Sequence, residues 1–199
     1  MADPREVGNI APFIDQTFTV TSAWWVERWG TIHKGLDIAV GGSEDVPVYS
    51  MLDGYVIDKG YTESAGNYLI IANDDINSGL YGFATRYLHL KNDSIQVNIG
   101  DRVQVNQWVA YQGATGAGVT GKHLHLEMQN VAINTPRFTW KASNNKSDYI
   151  DPTLFMGIEN VEGTQWIYRV PIPIPTSEEK TEGFKWVLYS RKLRNKRKW

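Results

Sequence analysis

From Thr17 to Gln129 the chain never sustains an apolar period of 3.6 residues; it advances in short runs, many of them alternating, that end in turn chemistry. Thr17–Ser22 alternates, and Val46–Tyr49 and Gly54–Asp58 are expected to pair. Asn67–Ile71, Ala84–Leu90, Gln96–Ile99, Arg102–Val105, Trp108–Gln112 and His123–Gln129 follow as further strands. Between them stand Leu52-Asp53-Gly54, Asn77-Ser78-Gly79 and Ile99-Gly100-Asp101, residues that favour tight turns. A chain built this way must pair its strands with near neighbours. The pattern predicts an all-β domain of antiparallel sheets, either a sandwich or an open barrel. The eight Trp and ten Tyr suit half-buried sheet surfaces, and a groove for an extended, sugar-bearing ligand is their second use.

The character changes after Asp148-Tyr149-Ile150-Asp151-Pro152. Pro171-Ile172-Pro173-Ile174-Pro175 is stiff and cannot supply a regular hydrogen-bond ladder. Arg191, Lys192, Arg194, Lys196, Arg197 and Lys198 make the last stretch basic, the usual composition of a solvated end. These shifts divide the chain into an N-terminal segment (1–17), one domain (18–156) and a C-terminal extension (157–199). A formal net charge of −2 argues against nucleic acid as a partner. Cysteine is absent, which excludes disulfides and thiolate metal ligands. No stretch is apolar enough to span a membrane, and Met1–Ile10 lacks the basic start and apolar core of a signal peptide.

The four histidines carry the chemical argument: His33, His89, His123 and His125. In a strand, residues i and i+2 share a face, so His123 and His125 project together while Leu124 and Leu126 face the core. One strand histidine is usually structural. Two buried side by side need partners or a metal. His33-Lys34-Gly35-Leu36-Asp37 adds a second cluster. Fully extended, it would hold His33 and Asp37 roughly 13 Å apart, so a bend is required, and Gly35 is the residue expected to provide it. Nitrogen and carboxylate donors suit zinc, and three protein ligands leave a fourth position open for chemistry. In Arg86-Tyr87-Leu88-His89-Leu90, alternation places Tyr87 and His89 on one face and Leu88 and Leu90 on the other. Spacing alone leaves open which of His123 and His125 would bind a metal. Glu127 shares their face, either as a partner of a ligating histidine or as an ordinary paired strand residue. Gly113, Gly116, Gly118 and Gly121 lack the Gly-Lys-Ser/Thr ending of a phosphate loop and are expected to shape a rim beside the cleft.

H-x-x-x-D followed by H-x-H resembles the lysostaphin-type (LytM-like) metalloendopeptidases. The likeness extends to Val46-Pro47-Val48-Tyr49, Asp53-Gly54-Tyr55-Val56, Gly66–Ile71, Tyr87–Leu90, Val97–Val103, Gly113–Gly116, Gly121–Glu127 and Tyr149–Pro152, covering about residues 18 to 156. The resemblance implies the duplicated-hybrid-motif β fold and hydrolysis of peptide bonds in bacterial peptidoglycan. It implies Zn2+ held by His33, Asp37 and His125, with His89 and His123 as the catalytic pair. Acting on that substrate implies a place outside the cell at the wall, and the lack of a signal peptide makes a phage virion, with tail proteins as partners, a second expected location. A non-catalytic peptidoglycan-binding or phage-tail scaffold is the alternative on the same fold. One segment departs from the family. Ser22–Gly30 is Trp-rich where a small-residue, Phe-Gly arrangement is usual, and it is expected to line one side of the cleft.

Overall fold

A computed structural model describes residues 10–42, 44–73, 82–131, 140, 143–170 and 189–191. The strands are β1 (Thr17–Ser22), β2 (Val26–Arg28), β3 (Thr31–His33), β4 (Leu36–Ala39), β5 (Pro47–Tyr49), β6 (Gly54–Thr62) and β7 (Gly66–Asn73). They continue as β8 (Gly82–Leu90), β9 (Arg102–Val103), β10 (Trp108–Tyr111), β11 (Leu124–Val131), β12 (Tyr149–Ile150), β13 (Gln165–Arg169) and β14 (Tyr189–Arg191). One short helix, α1 (Pro152–Met156), lies between β12 and β13.

The all-β antiparallel expectation holds. Ten strands form one sheet in the order β14-β13-β1-β4-β11-β8-β7-β6-β9, with β12 on β11. β5 and β10 make a second small sheet, and β2 and β3 a separate hairpin. Alternation drives the arrangement. On β4 and β11, Leu36, Ile38, Leu124, Leu126 and Met128 enter the core fully buried, each contributing about 1.5–3 kcal/mol of apolar burial. Their neighbours Asp37, His125 and Glu127 are thereby turned to the opposite face.

Three local expectations need correction. β5 pairs with β10, whereas β6 pairs with β7 and β9, so Val46–Tyr49 and Gly54–Asp58 are not partners. Residues 96–99 form no strand. Gln96 spends its backbone N–H on Val109, and the Asp101 carboxylate accepts from the Asn98 N–H, which ties this stretch into a turn. The third concerns His89 and is taken up with the site.

The residues flanking 18–156 pack against the same core. Ile10, Ala11 and Phe13 are buried on one side, Trp166 and Tyr168 on the other. β13 pairs with β1 in register Thr17↔Ile167, and Asp15 donates its N–H to the Tyr168 carbonyl. The Asp151-Pro152 pair starts α1. Asp151 caps the Thr153 N–H at 2.9 Å, Pro152 occupies the first turn and Gly157, at φ 61°, stops the helix. The Asn77-Ser78-Gly79 turn, the proline run and the basic tail beyond Arg191 lie outside the described residues. Among the described residues, no helix is long and apolar enough to cross a membrane.

Candidate metal centre

β4 and β11 are adjacent, and their register sets Asp37 directly opposite His125. The β2–β3 hairpin then folds His33 over them, anchored by the Trp25 N–H on the His33 carbonyl. His33 Nε2 lies 3.1 Å from Asp37 Oδ1 and 3.0 Å from His125 Nδ1, and Asp37 Oδ1 lies 2.8 Å from His125 Nδ1. The bend at Gly35 has a different reason from the one expected. Gly35 is not among the residues with positive φ. A Cβ there would instead fall 2.3 Å from His125 Nε2, so the backbone can cross the ring only at a glycine.

The outer atoms of each group fix the inner ones. His33 Nδ1 is 3.0 Å from the Ala23 carbonyl and 3.3 Å from Ser22 Oγ. A carbonyl only accepts, so this nitrogen carries the proton and Nε2 presents a lone pair. His125 Nε2 is 3.2 Å from Glu127 Oε1 and carries a proton there, so Nδ1 presents a lone pair once a metal displaces its own proton. Two lone pairs and a carboxylate oxygen thus converge on one point, an arrangement that requires a proton or a cation between them. Tetrahedral zinc ligands at about 2.0–2.1 Å would lie roughly 3.3 Å from one another. The observed triangle fits that donor set, and these three residues form a group able to hold a metal ion.

Electrostatics agree. Burial alone would raise the Asp37 pKa, yet hydrogen bonds from His125 and His33 hold it far below the carboxylate range. Burial alone would lower His125, but its hydrogen bonds to Asp37 and Glu127 lift it to about 9. Without a cation, protons fill the cluster. Arg28 adds a further contact, its Nη1 standing 3.5 Å from Asp37 Oδ2.

His89 and His123 stand beside this triangle, with ring centroids 4.8 Å apart; His123 Nε2 is 3.8 Å from Asp37 Oδ1 and the His89 ring 5.8 Å from that of His125. The expected sharing of a face by Tyr87 and His89 is overturned. β8 takes three steps from Tyr87 to Leu90 where β7 takes two from Leu69 to Asn67, a bulge in which His89 adopts φ 62°. Tyr87 and Leu90 both enter the core, while His89 swings out toward His123. His89 Nδ1 donates to the Thr115 carbonyl at 2.9 Å and His123 Nδ1 to the Gly121 carbonyl at 2.9 Å, which leaves Nε2 of each ring as an acceptor. Burial first, then the neighbouring His125 and His123, push His89 down to about 4, so it is neutral at pH 7. Gly113, expected on a rim, instead backs this histidine: a Cβ there would meet the His89 carbonyl at 2.6 Å. Thr115, Ala23 and Arg86 escaped the sequence reading, because a backbone carbonyl or a cross-strand partner leaves no motif.

The five predicted side chains therefore meet in one place. A cleft of about 380 Å³ borders the donor triangle on the hairpin side, lined by Arg28, Trp29, Ile32, His33, His125 and Glu127. The Trp-rich segment supplies part of its wall, as expected. Trp29 stands 96% exposed at the hairpin tip.

With fold and site in place, the class is clear: the chain belongs to peptidase family M23, whose sequence profile matches residues 31–145. Among curated relatives, the peptidoglycan DD-endopeptidase ShyB of Vibrio cholerae is 43% identical over 96 residues, which are 48% of this chain and 20% of ShyB. The chain thus spans about a fifth of that relative's length. The crystal structure of a zinc-containing peptidase from Vibrio cholerae superposes with a TM-score of 0.51 at 36% identity, covering 63% of this chain and 37% of that one. Lysostaphin from Staphylococcus simulans shares the fold, with a TM-score of 0.53 at 21% identity over 70% of this chain and 49% of its own.

Proposed function

We propose that this chain is a zinc-dependent endopeptidase that hydrolyses peptide bonds in bacterial peptidoglycan, working outside the cell at the wall. One observation carries the reading. Two ring lone pairs and a carboxylate oxygen, each fixed from behind, converge within 3.1 Å beside a second pair of histidines. Family membership and the name of the 43%-identical relative support the substrate class.

His33, Asp37 and His125 would hold the ion. Zinc there supplies Lewis acidity, lowering the pKa of water and polarising a carbonyl oxygen. The remaining work falls to this chain's own groups. His89 and His123, each anchored through Nδ1–H, keep Nε2 to take the proton from the attacking water. As the C–N bond breaks, the ring that took the water's proton on Nε2 passes it to the leaving amine, and the chain's proton balance closes.

The decisive measurement is metal content together with release of new amino groups from purified peptidoglycan, with and without chelator. About one zinc per chain and chelator-sensitive amine release would establish the enzyme, and product masses would name the bond. Bound zinc without cleavage of any wall type would favour the binding scaffold. Neither zinc nor cleavage would sink the reading.

A further inference from the structure

Behind His125, on the side away from Asp37, a carboxylate and a guanidinium are stacked in a row. Glu127 and Arg86 are direct cross-strand partners on β11 and β8. Glu127 Oε1 lies 3.2 Å from His125 Nε2, and its Oε2 lies 3.3 Å from Arg86 Nη1. Their side chains are 9% and 19% exposed, so this is no solvated rim pair. Arg86 is itself confined. Its guanidinium carbon sits 5.3 Å from the Tyr68 ring centroid and 5.6 Å from that of Trp140, and the Tyr68 hydroxyl donates to Asp58. The row has a direction. It starts beside two aromatic rings and ends on the His125 ring nitrogen that faces away from the donor triangle.

We propose that Arg86 and Glu127 form a positioning pair for the metal centre. Arg86 engages one carboxylate oxygen, which leaves the other aimed at His125 Nε2–H. That bond fixes the ring's tautomer and rotation, so the Nδ1 lone pair meets Asp37 and His33. A carboxylate acceptor also makes the imidazole a stronger donor to a metal than a neutral acceptor would. Glu127 thus acts through His125, and Arg86 acts through Glu127. The proposal rests on the zinc-site reading above.

Zinc affinity of the purified chain, measured by competition with a chromogenic chelator, tests it without reference to turnover. Glu127→Ala should weaken zinc by about 10–100-fold. Glu127→Gln, which keeps an acceptor oxygen but loses the charge, should fall between it and the native protein. Arg86→Met should weaken zinc less than Glu127→Ala, and Arg86→Lys should recover part of that loss. In a Glu127→Ala background, Arg86→Met should add nothing, because its route to the metal is already cut. Cobalt substituted for zinc should show shifted visible bands in the Glu127 variants. Melting in chelator reports whether each variant folds, and if Glu127→Ala does not, Glu127→Gln with Arg86→Lys completes the same cycle. Native-like affinity in a folded Glu127 variant, or an undiminished Arg86 effect in the absence of Glu127, overturns the pair's role while leaving the zinc reading intact. A native chain that binds no zinc overturns both.

Discussion

Strands β8 and β11 lie side by side and both deliver histidines to one cluster, by different physical routes. On β11 the delivery follows from regular alternation: core leucines at 124 and 126 turn His125 outward, and His123 precedes it on the same face. On β8 the delivery needs a bulge and a left-handed histidine. Such a conformation costs about 1–2 kcal/mol for a residue with a Cβ, offset here by the Thr115 hydrogen bond and the surrounding core. A regular strand positions a ligand at no conformational cost. An added residue re-aims a side chain that the pleat would have hidden.

The largest test of this contrast lies on β11. His125→Ala should remove zinc and abolish cleavage, whereas His123→Ala should abolish cleavage and spare most metal binding; a fully active His123→Ala variant would falsify the role given to that ring. Next comes β8. His89→Ala should lower kcat by about 100- to 10,000-fold with zinc content unchanged, as expected for loss of a proton-handling group. The two strands should then diverge in stability. At position 89 glycine should be more stable than alanine by about 1 kcal/mol, because φ is positive. At position 123 the order should reverse, and equal ordering in thermal melts would remove the distinction. Gly35→Ala should drive a methyl into the His125 ring, weakening zinc by about tenfold or more in chelator competition. Smallest is a pH effect in metal-free protein. His125 has its folded pKa raised from 6.5 to about 9, so its stabilisation is full below pH 6.5 and lost as pH rises through about 9. The melting temperature of chelated protein should fall by a few degrees across that window, while stabilisation by zinc grows, since binding must displace the proton.

What the sequence made legible follows the same division. The antiparallel class, most strands and the meeting of His33, Asp37, His89, His123 and His125 were readable, the first two from alternation and turns and the last from the family's motif spacing. The bulge at His89 was not, because Arg86–Leu90 alternates perfectly on paper and only packing of both Tyr87 and Leu90 into the core demands an extra residue. The role of Gly35 was misjudged for a related reason. A glycine needed for contact with a distant ring looks the same as one needed for a turn. Thr115 and Arg86 left no trace, since their partners lie far along the chain.

The β1–β13 ladder carries a consequence for how this domain can be joined to others. Thr17 faces Ile167, and Asp15 bonds to Tyr168, so the path into the first strand and the path out of the thirteenth run within hydrogen-bonding distance. A segment joined ahead of β1 and one joined after β13 would therefore leave the sheet side by side.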